Sequence, residues 1–320
     1  MCIRDSSIVK QCLQLGLVNV KLTGGEPLLV SWVMDYIKYL SCEKINVTIE
    51  TNGTLITKEV AKELKNCGNV SQISISLDGS NQSSHEYLRI VPGCFDKTIS
   101  GIKNLIEVGI SPMLMTAVYK GNIDELEDIA LLASSLGVGA IKLNCVHGTG
   151  RGEDMVSYGE TLNEQEKLEL FESLDEIEQK TNVELQLSIP FALRPLSKMN
   201  RHKAGGCNVV NTLGLLPNGD FGMCGIALTT PELNFGNFRD NQVEEIWNNN
   251  PIIKQLDKGL PEKLEGVCGE CIFKIICRGG CRAEAFCSAG SVLSPCQMCQ
   301  WAKEHGKFLS LIHISEPTRP

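Results

Sequence analysis

Apolar positions along the first 190 residues alternate between two periods. Short β-branched runs fall at residues 18–22 (VNVKL), 46–50 (NVTIE), 72–77 (QISISL), 113–119 (MLMTAVY) and 140–146 (AIKLNCV). Between them, residues 31–40, 58–66, 95–108 and 124–136 place apolar side chains near helical spacing. Strand and helix in repeated alternation predict parallel strands with helices covering the sheet. Five such strands in series suggest a barrel or an open doubly wound sheet. Cap-then-glutamate patterns at residues 122–125 (NIDE) and 163–166 (NEQE) predict helix starts. The second opens a long amphipathic helix with Leu168, Phe171, Leu174 and Ile177 along one face. A further alternation at residues 183–189 (VELQLSI) ends at Pro190. Residues 190–206 then become rich in Pro, Lys and Gly, which sets a domain boundary there. The expected domains are 7–190 and 191–308.

Composition changes this picture in one respect. The 320 residues are 42% hydrophobic and 21% charged, which is ordinary for a globular chain. The formal net charge is −8 and no segment concentrates basic residues, so nucleic-acid binding is not expected. No apolar run approaches the roughly 18 residues of a membrane span, and no secretory signal is present. Cysteine stands out. Of 15 cysteines, six lie singly before residue 150 and nine lie from Cys207 onward in tight spacings. In a long, pattern-rich chain this predicts a reducing cytoplasm and metal ligation rather than a disulfide scaffold. Residues 1–6 (MCIRDS) and 309–320 (LSLIHISEPTRP) resemble translated adapter sequence and are set apart from the fold expectation.

The first candidate chemistry is Gly24-Gly25-Glu26-Pro27, directly after the run at residues 18–22. Two glycines permit close backbone approach to a ligand, and Pro27 suits a first helical turn. Glu26 sits at the C-terminal end of a parallel strand, where α/β folds bind ligands and a carboxylate can accept from an ammonium group. Alone, this tetrapeptide is equally an ordinary tight turn. Its companions are Glu50-Thr51-Asn52-Gly53, Ser76-Leu77-Asp78-Gly79, then His85, Arg89 and Pro92-Gly93-Cys94-Phe95. With these the chain resembles the radical S-adenosylmethionine (SAM) superfamily. The resemblance implies that Gly24, Gly25 and Glu26 hold the methionine amino group of SAM. It implies that Asn52, Ser76, Asp78 and Arg89 lie near its ribose or carboxylate. Asn-Gly and Asp-Gly are also favoured turn pairs. The implied fold is α/β: a partial (β/α)6 barrel lacking its first strand, then a small Cys-rich α+β domain. One departure matters. The superfamily carries a CxxxCxxC loop upstream of GGEP, and Cys2 and Cys12 do not form it. The first strand and that loop are expected to precede the residues present here. Three thiolates there would hold the SAM-cleaving [4Fe–4S] cluster in the full-length protein only, and without them this chain is expected to be inert in SAM cleavage.

The late cysteines follow C-x11-G-x4-C (Cys207, Gly219, Cys224), then C-x2-C-x5-C-x3-C (Cys268, Cys271, Cys277, Cys281), then Cys299. Thiolates so spaced can converge on metal centres, and a C-x2-C pair alone equally suits a zinc ribbon. Seven cysteines in this order, with NGDFGMC, FGN before EEIW, and CRGGCRAEAF, resemble the SPASM domain over about 90 residues. The resemblance implies two auxiliary [4Fe–4S] clusters. Cys207, Cys224 and Cys281 would share one, and Cys268, Cys271, Cys277 and Cys299 the other. Cys296 competes with Cys299. Some relatives add an eighth cysteine where this chain has Arg201, so the first cluster would keep an open iron or recruit Cys287 or Cys296. Cys12, Cys42, Cys67, Cys94 and Cys145 are expected to be small buried hydrophobes.

The resemblance implies an enzyme that abstracts hydrogen with a 5′-deoxyadenosyl radical and modifies a peptide or protein. Maturation of a ribosomal peptide, by a thioether or similar bond, is the leading expectation. A sulfatase-maturing enzyme is a rival, weakened because Gly225 follows Cys224 where an Asp base is common. A cofactor-precursor enzyme and a non-enzymatic electron-transfer module are further alternatives. The catalytic residue stays open. A reductant such as flavodoxin or ferredoxin is the expected second partner.

Overall fold

In the computed structural model, residues 3–148, 152–195, 197, 199 and 208–308 are described. The chain divides into two compact units. The first is Met1–Gly148, Gly152–Leu162 and Glu172–Leu187, and the second is Thr149–Arg151, Asn163–Phe171 and Ser188–Pro320. Among the described residues, no helix is long and apolar enough to cross a membrane.

The first unit carries a six-stranded sheet of β1 (Asn19–Leu22), β2 (Asn46–Thr51), β3 (Val70–Ser76), β4 (Met113–Val118), β5 (Ala140–Cys145) and β6 (Glu184–Leu187). The strands pair in chain order and every pair is parallel. The connecting helices are α1 (Ile3–Gln14), α2 (Val33–Cys42), α3 (Lys58–Cys67), α4 (Gln82–Arg89), α5 (Cys94–Glu107), α6 (Leu126–Leu136) and α7 (Gly152–Ser157), followed by α8 (Glu164–Thr181). Alternate side chains of β2, β4 and β5 are buried, among them Val47, Ile49, Leu114, Val118, Ile141 and Leu143. Ile37 and Leu40 of α2, Leu64 of α3, Ile102 and Leu105 of α5 and Ile129 of α6 are buried with them in the unit's core. Each such side chain stabilises the fold by about 1.5–3 kcal/mol when fully buried. The sixth strand comes from the alternation at residues 183–189.

Three local expectations change. The Asn163 box closes as expected: Asn163 N–H donates to Glu166 Oε2 at 2.7 Å, and Glu166 N–H to Asn163 Oδ1 at 2.9 Å. Asn122, however, does not cap its 3₁₀ turn. It is buried, and its amide donates to the Asp78 and Ala117 carbonyls at 2.9 Å each, cross-linking two strand ends. On α8 the buried face runs through Leu170, Phe171 and Leu174, with Leu168 only half-buried. Helix α1 takes in residues 3–6, which the sequence pattern had set aside.

The second unit has a three-stranded antiparallel sheet, β7 (Gly214–Leu215), β8 (Asp220–Gly222) and β9 (Asn234–Asn237). The Asn218-Gly219 turn closes its first hairpin, with Asp220 N–H on Asn218 Oδ1 at 3.1 Å. The Asp220 carboxylate accepts from Asn237, Asn234 and Asn218, and these bonds hold its pKa below the usual value. Short helices follow: α9 (Val243–Asn249), α10 (Pro251–Gly259), α11 (Gly266–Glu270), α12 (Lys274–Cys277), α13 (Arg282–Ala289) and α14 (Gln297–Glu304). Its core is small, built on Val209, Leu216, Met223, Leu233, Leu256, Val292 and Leu293. Its structure is short strands, short helices and loops, an arrangement that suits stabilisation by bound metal.

Candidate functional site

In the first unit, parallel strands bring their C-terminal ends to one edge of the sheet, and the residues named from the sequence gather there. Glu26 follows β1 and caps a 3₁₀ turn at Pro27–Leu29. Its Oε1 accepts from Leu28 N–H at 3.1 Å and from the Thr51 hydroxyl at 2.7 Å, and its Oε2 accepts from Asn52 N–H at 2.8 Å. A carboxylate offers about four lone-pair positions, so one on Oε2 is left for a ligand donor. Gly24 has φ +112, and a Cβ placed on Gly24 or Gly25 would meet nothing within 4 Å. Open glycine backbone beside a fixed carboxylate fits an ammonium-bearing ligand such as the amino end of SAM.

Asn52 follows β2. Its Oδ1 accepts from Thr54 N–H at 2.9 Å and from the Thr54 hydroxyl at 2.7 Å, so the side chain is held in a local turn. Thr98 of α5 donates to the Asn52 carbonyl at 2.8 Å and pins that turn to the helix. Ser76 ends β3 and is half-buried. Asp78, expected near the ribose or carboxylate of SAM, has a side chain that is 0% exposed. It accepts from Ala117 N–H at 2.8 Å and from Arg89 Nε at 2.5 Å. Among the described residues, the two terminal guanidinium nitrogens of Arg89 make no hydrogen bond. Asp78 thus reaches the edge by orienting Arg89. His85 Nδ1 accepts from Asp78 N–H at 3.1 Å, and burial lowers its pKa, so the neutral ring is the folded form. Thr51, Thr98 and Asn122 are the supporting residues that sequence reasoning missed. Thr51 lay inside the Glu50-Thr51-Asn52-Gly53 segment and Asn122 carried the signal of a helix cap, whereas nothing local marks Thr98.

In the second unit, one recess is lined by Cys268, Cys271, Cys277 and Cys299 together with Pro190, Ala192, Lys274, Gly279 and Phe308. These four cysteines come from α11, its end, α12 and α14. Phe273 N–H points at Cys271 Sγ at 3.4 Å and Cys296 N–H at Cys268 Sγ at 3.3 Å. A hydrogen bond from Cys299 lowers the Cys268 pKa to about 6, and the same interaction raises that of Cys299. Burial raises that of Cys277. Four sulfurs around one recess, two of them receiving backbone N–H groups, fit a thiolate-held iron–sulfur cluster. Among the described residues, no three His, Cys, Asp or Glu side chains meet in single-ion geometry. Cys296 caps α14 and bonds to Cys299 without lining the recess.

Of the other proposed set, Cys224 and Cys281 both pack against the unit's apolar core. Cys281 caps α13, with Glu284 N–H on its sulfur at 3.5 Å. Cys207 and Arg201 lie outside the described residues. Cys287 is exposed, 3.5 Å from the Thr230 hydroxyl. Of the scattered cysteines, Cys94 and Cys145 are buried as expected, Cys12 and Cys67 half-buried, and Cys42 exposed. Sequence reasoning also missed Arg194 and Arg282. Arg194 is 3% exposed, lies over the rings of Phe171 and Phe191, and donates from Nε to the Ile189 carbonyl at 3.0 Å.

A parallel sheet with a fixed carboxylate at its strand ends, accompanied by a recess of four cysteines, defines a class of α/β protein with a thiolate site for metal. Comparison with known proteins identifies it. Residues 6–133 match the radical SAM superfamily, and residues 207–272 match SPASM, an iron–sulfur cluster-binding domain. The chain is 30% identical over 295 residues to the AdoMet-dependent heme synthase of Nitratidesulfovibrio vulgaris, covering 87% of this chain and 78% of that protein. It is 28% identical to the antilisterial bacteriocin subtilosin biosynthesis protein AlbA of Bacillus subtilis, covering 90% of this chain and 61% of AlbA. Its fold is similar to that of Streptococcus suis SuiB bound to precursor peptide SuiA, with TM-score 0.70 and 18% identity over 93% of this chain and 68% of SuiB. The chain belongs to the radical SAM superfamily of enzymes and carries a SPASM domain.

Proposed function

We propose that this chain is the SAM-binding and auxiliary-cluster portion of an enzyme that modifies a peptide or protein. Gly24, Gly25 and Glu26 hold the amino end of SAM. Asn52, Ser76 and Arg89 form the rest of the rim, with Asp78 orienting Arg89. Cys268, Cys271, Cys277 and Cys299 hold one [4Fe–4S] cluster, and Cys207, Cys224 and Cys281 contribute to the other. The domains divide near residue 190. SAM, when cleaved, supplies a 5′-deoxyadenosyl radical that abstracts hydrogen from the substrate. This chain's residues fit SAM and the auxiliary clusters. They do not fit the SAM-cleaving cluster, because no CxxxCxxC loop occurs among them. A flavodoxin or ferredoxin is the proposed reductant, and the cytoplasm the proposed location.

The single observation behind the binding assignment is the Glu26 carboxylate, fixed by three donors with one acceptor position left. Relationship to a bacteriocin biosynthesis protein, AlbA, supports a peptide substrate, and a thioether is the bond proposed here. The test is a co-expressed cysteine-bearing peptide and an enzyme supplied with the three-cysteine loop. A mass loss of two hydrogens supports the reading, and an unmodified peptide with 5′-deoxyadenosine formed counts against it. A second reading, action on a tetrapyrrole, is favoured by the 30% identity to a heme synthase over 78% of its length. Saturable heme binding by this chain at micromolar concentration would favour it.

A further inference from the structure

Arg282 follows Cys281 directly and is 1% exposed. Its guanidinium donates to the Val292 carbonyl at 3.1 Å, to the Ser294 carbonyl at 2.7 Å, and to the Gly279 carbonyl. Among the described residues, its Nε has no partner. Among the described residues, no carboxylate forms an ion pair with it. The surrounding backbone is shaped to admit the charge. Arg278, Gly279 and Gly280 all have positive φ, and a Cβ on Gly279 would lie 2.6 Å from the guanidinium carbon. A buried charge without a counter-ion is expensive, and three carbonyl dipoles offset only part of the cost. The missing negative charge has a source beside it: Gly279, whose carbonyl Arg282 engages, lines the cysteine recess. Four thiolates on a cluster give the recess a net negative charge, and a cation beside it favours the more reduced, more negative state.

We infer that Arg282 is the built-in counter-charge of the cluster held by Cys268, Cys271, Cys277 and Cys299, stabilising its reduced form. This rests on the iron–sulfur reading of that recess. Arg282 is a positioning residue for the cluster's potential, and its task is separate from ligation. A purely structural clasp of residues 279, 292 and 294 would leave the potential unmoved.

The experiment is a redox titration, followed by electron paramagnetic resonance, of the reconstituted chain and its Arg282→Gln and Arg282→Lys variants. Iron and sulfide are assayed on each, and a Cys271→Ala variant identifies the recess signal. Gln keeps hydrogen-bond donors without charge, and is expected to disfavour reduction about tenfold, a one-electron shift of about 59 mV. Lys keeps the charge, and is expected to stay within a third of that shift. A loaded Gln variant with the wild-type potential overturns the inference. If Gln loses the cluster, the Lys variant decides: wild-type loading supports the counter-charge, and equal loss contradicts it. A wild-type chain holding zinc without sulfide instead removes the cluster reading itself.

Discussion

The two units bind their proposed ligands on different physical terms. In the first, Val47, Ile49, Leu114, Ile141 and residues of the facing helices form an extended apolar core. Its candidate residues stand at strand ends whose positions that core fixes. In the second, a small apolar cluster sits beside loops that carry the cysteines, and the sulfurs line a recess. The first unit is a preformed site. The second is a site whose own loops gain from the metal, because binding energy there is also folding energy.

The largest effect should follow from metal removal. Treatment with a strong chelator and oxidant is expected to expose residues 260–308 to protease and to hydrogen exchange while β1–β6 remain protected. Equal loss of protection in both units would erase the distinction. Next comes activity. After iron–sulfur reconstitution and reduction, this chain is expected to form no 5′-deoxyadenosine above background, since Cys2 and Cys12 cannot supply a CxxxCxxC loop. Formation of that product would falsify the assignment of the cleaving cluster to residues outside this chain. Third, Glu26→Gln is expected to weaken SAM binding by about ten- to a hundredfold, the range of a lost charge-assisted hydrogen bond. Calorimetry or equilibrium dialysis reads this directly, and an unchanged affinity would move the amino group elsewhere.

The smallest effect is a pH dependence confined to the first unit. His85 is neutral in the fold because burial lowers its pKa. The unfolded chain takes up a proton as pH falls through about 6.5, so the fold loses stability below that value and regains it above. His85→Gln, which keeps an acceptor for Asp78 N–H, is expected to flatten this dependence in thermal melts between about pH 7 and 5. A dependence as steep as that of the unaltered chain would remove His85 as its cause.

Legibility in the sequence followed the same division. The period switch between strands and helices gave the parallel sheet, because backbone periodicity is a local property. GGEP and the strand-end dipeptides gave the edge residues, because turns also have local chemistry. The partners of Asp78 could not be read in this way. Its burial depends on Ala117 and Arg89, which lie far away in sequence and meet it only in the fold. Asn122 had the spacing of a helix cap, yet two carbonyls on neighbouring strand ends took its amide. In the second unit, cysteine spacing marked metal ligation, and the resemblance to SPASM, not the spacing, grouped the four thiols that line one recess. It carried no sign of Arg282, whose role depends on carbonyls ten and twelve residues away.

The most direct test of the account is the iron, sulfide and zinc content of this chain after anaerobic reconstitution. About eight iron and eight sulfide per chain are expected, two [4Fe–4S] clusters with no third. One or two zinc ions without sulfide would contradict it and make the cysteine unit a zinc-binding module.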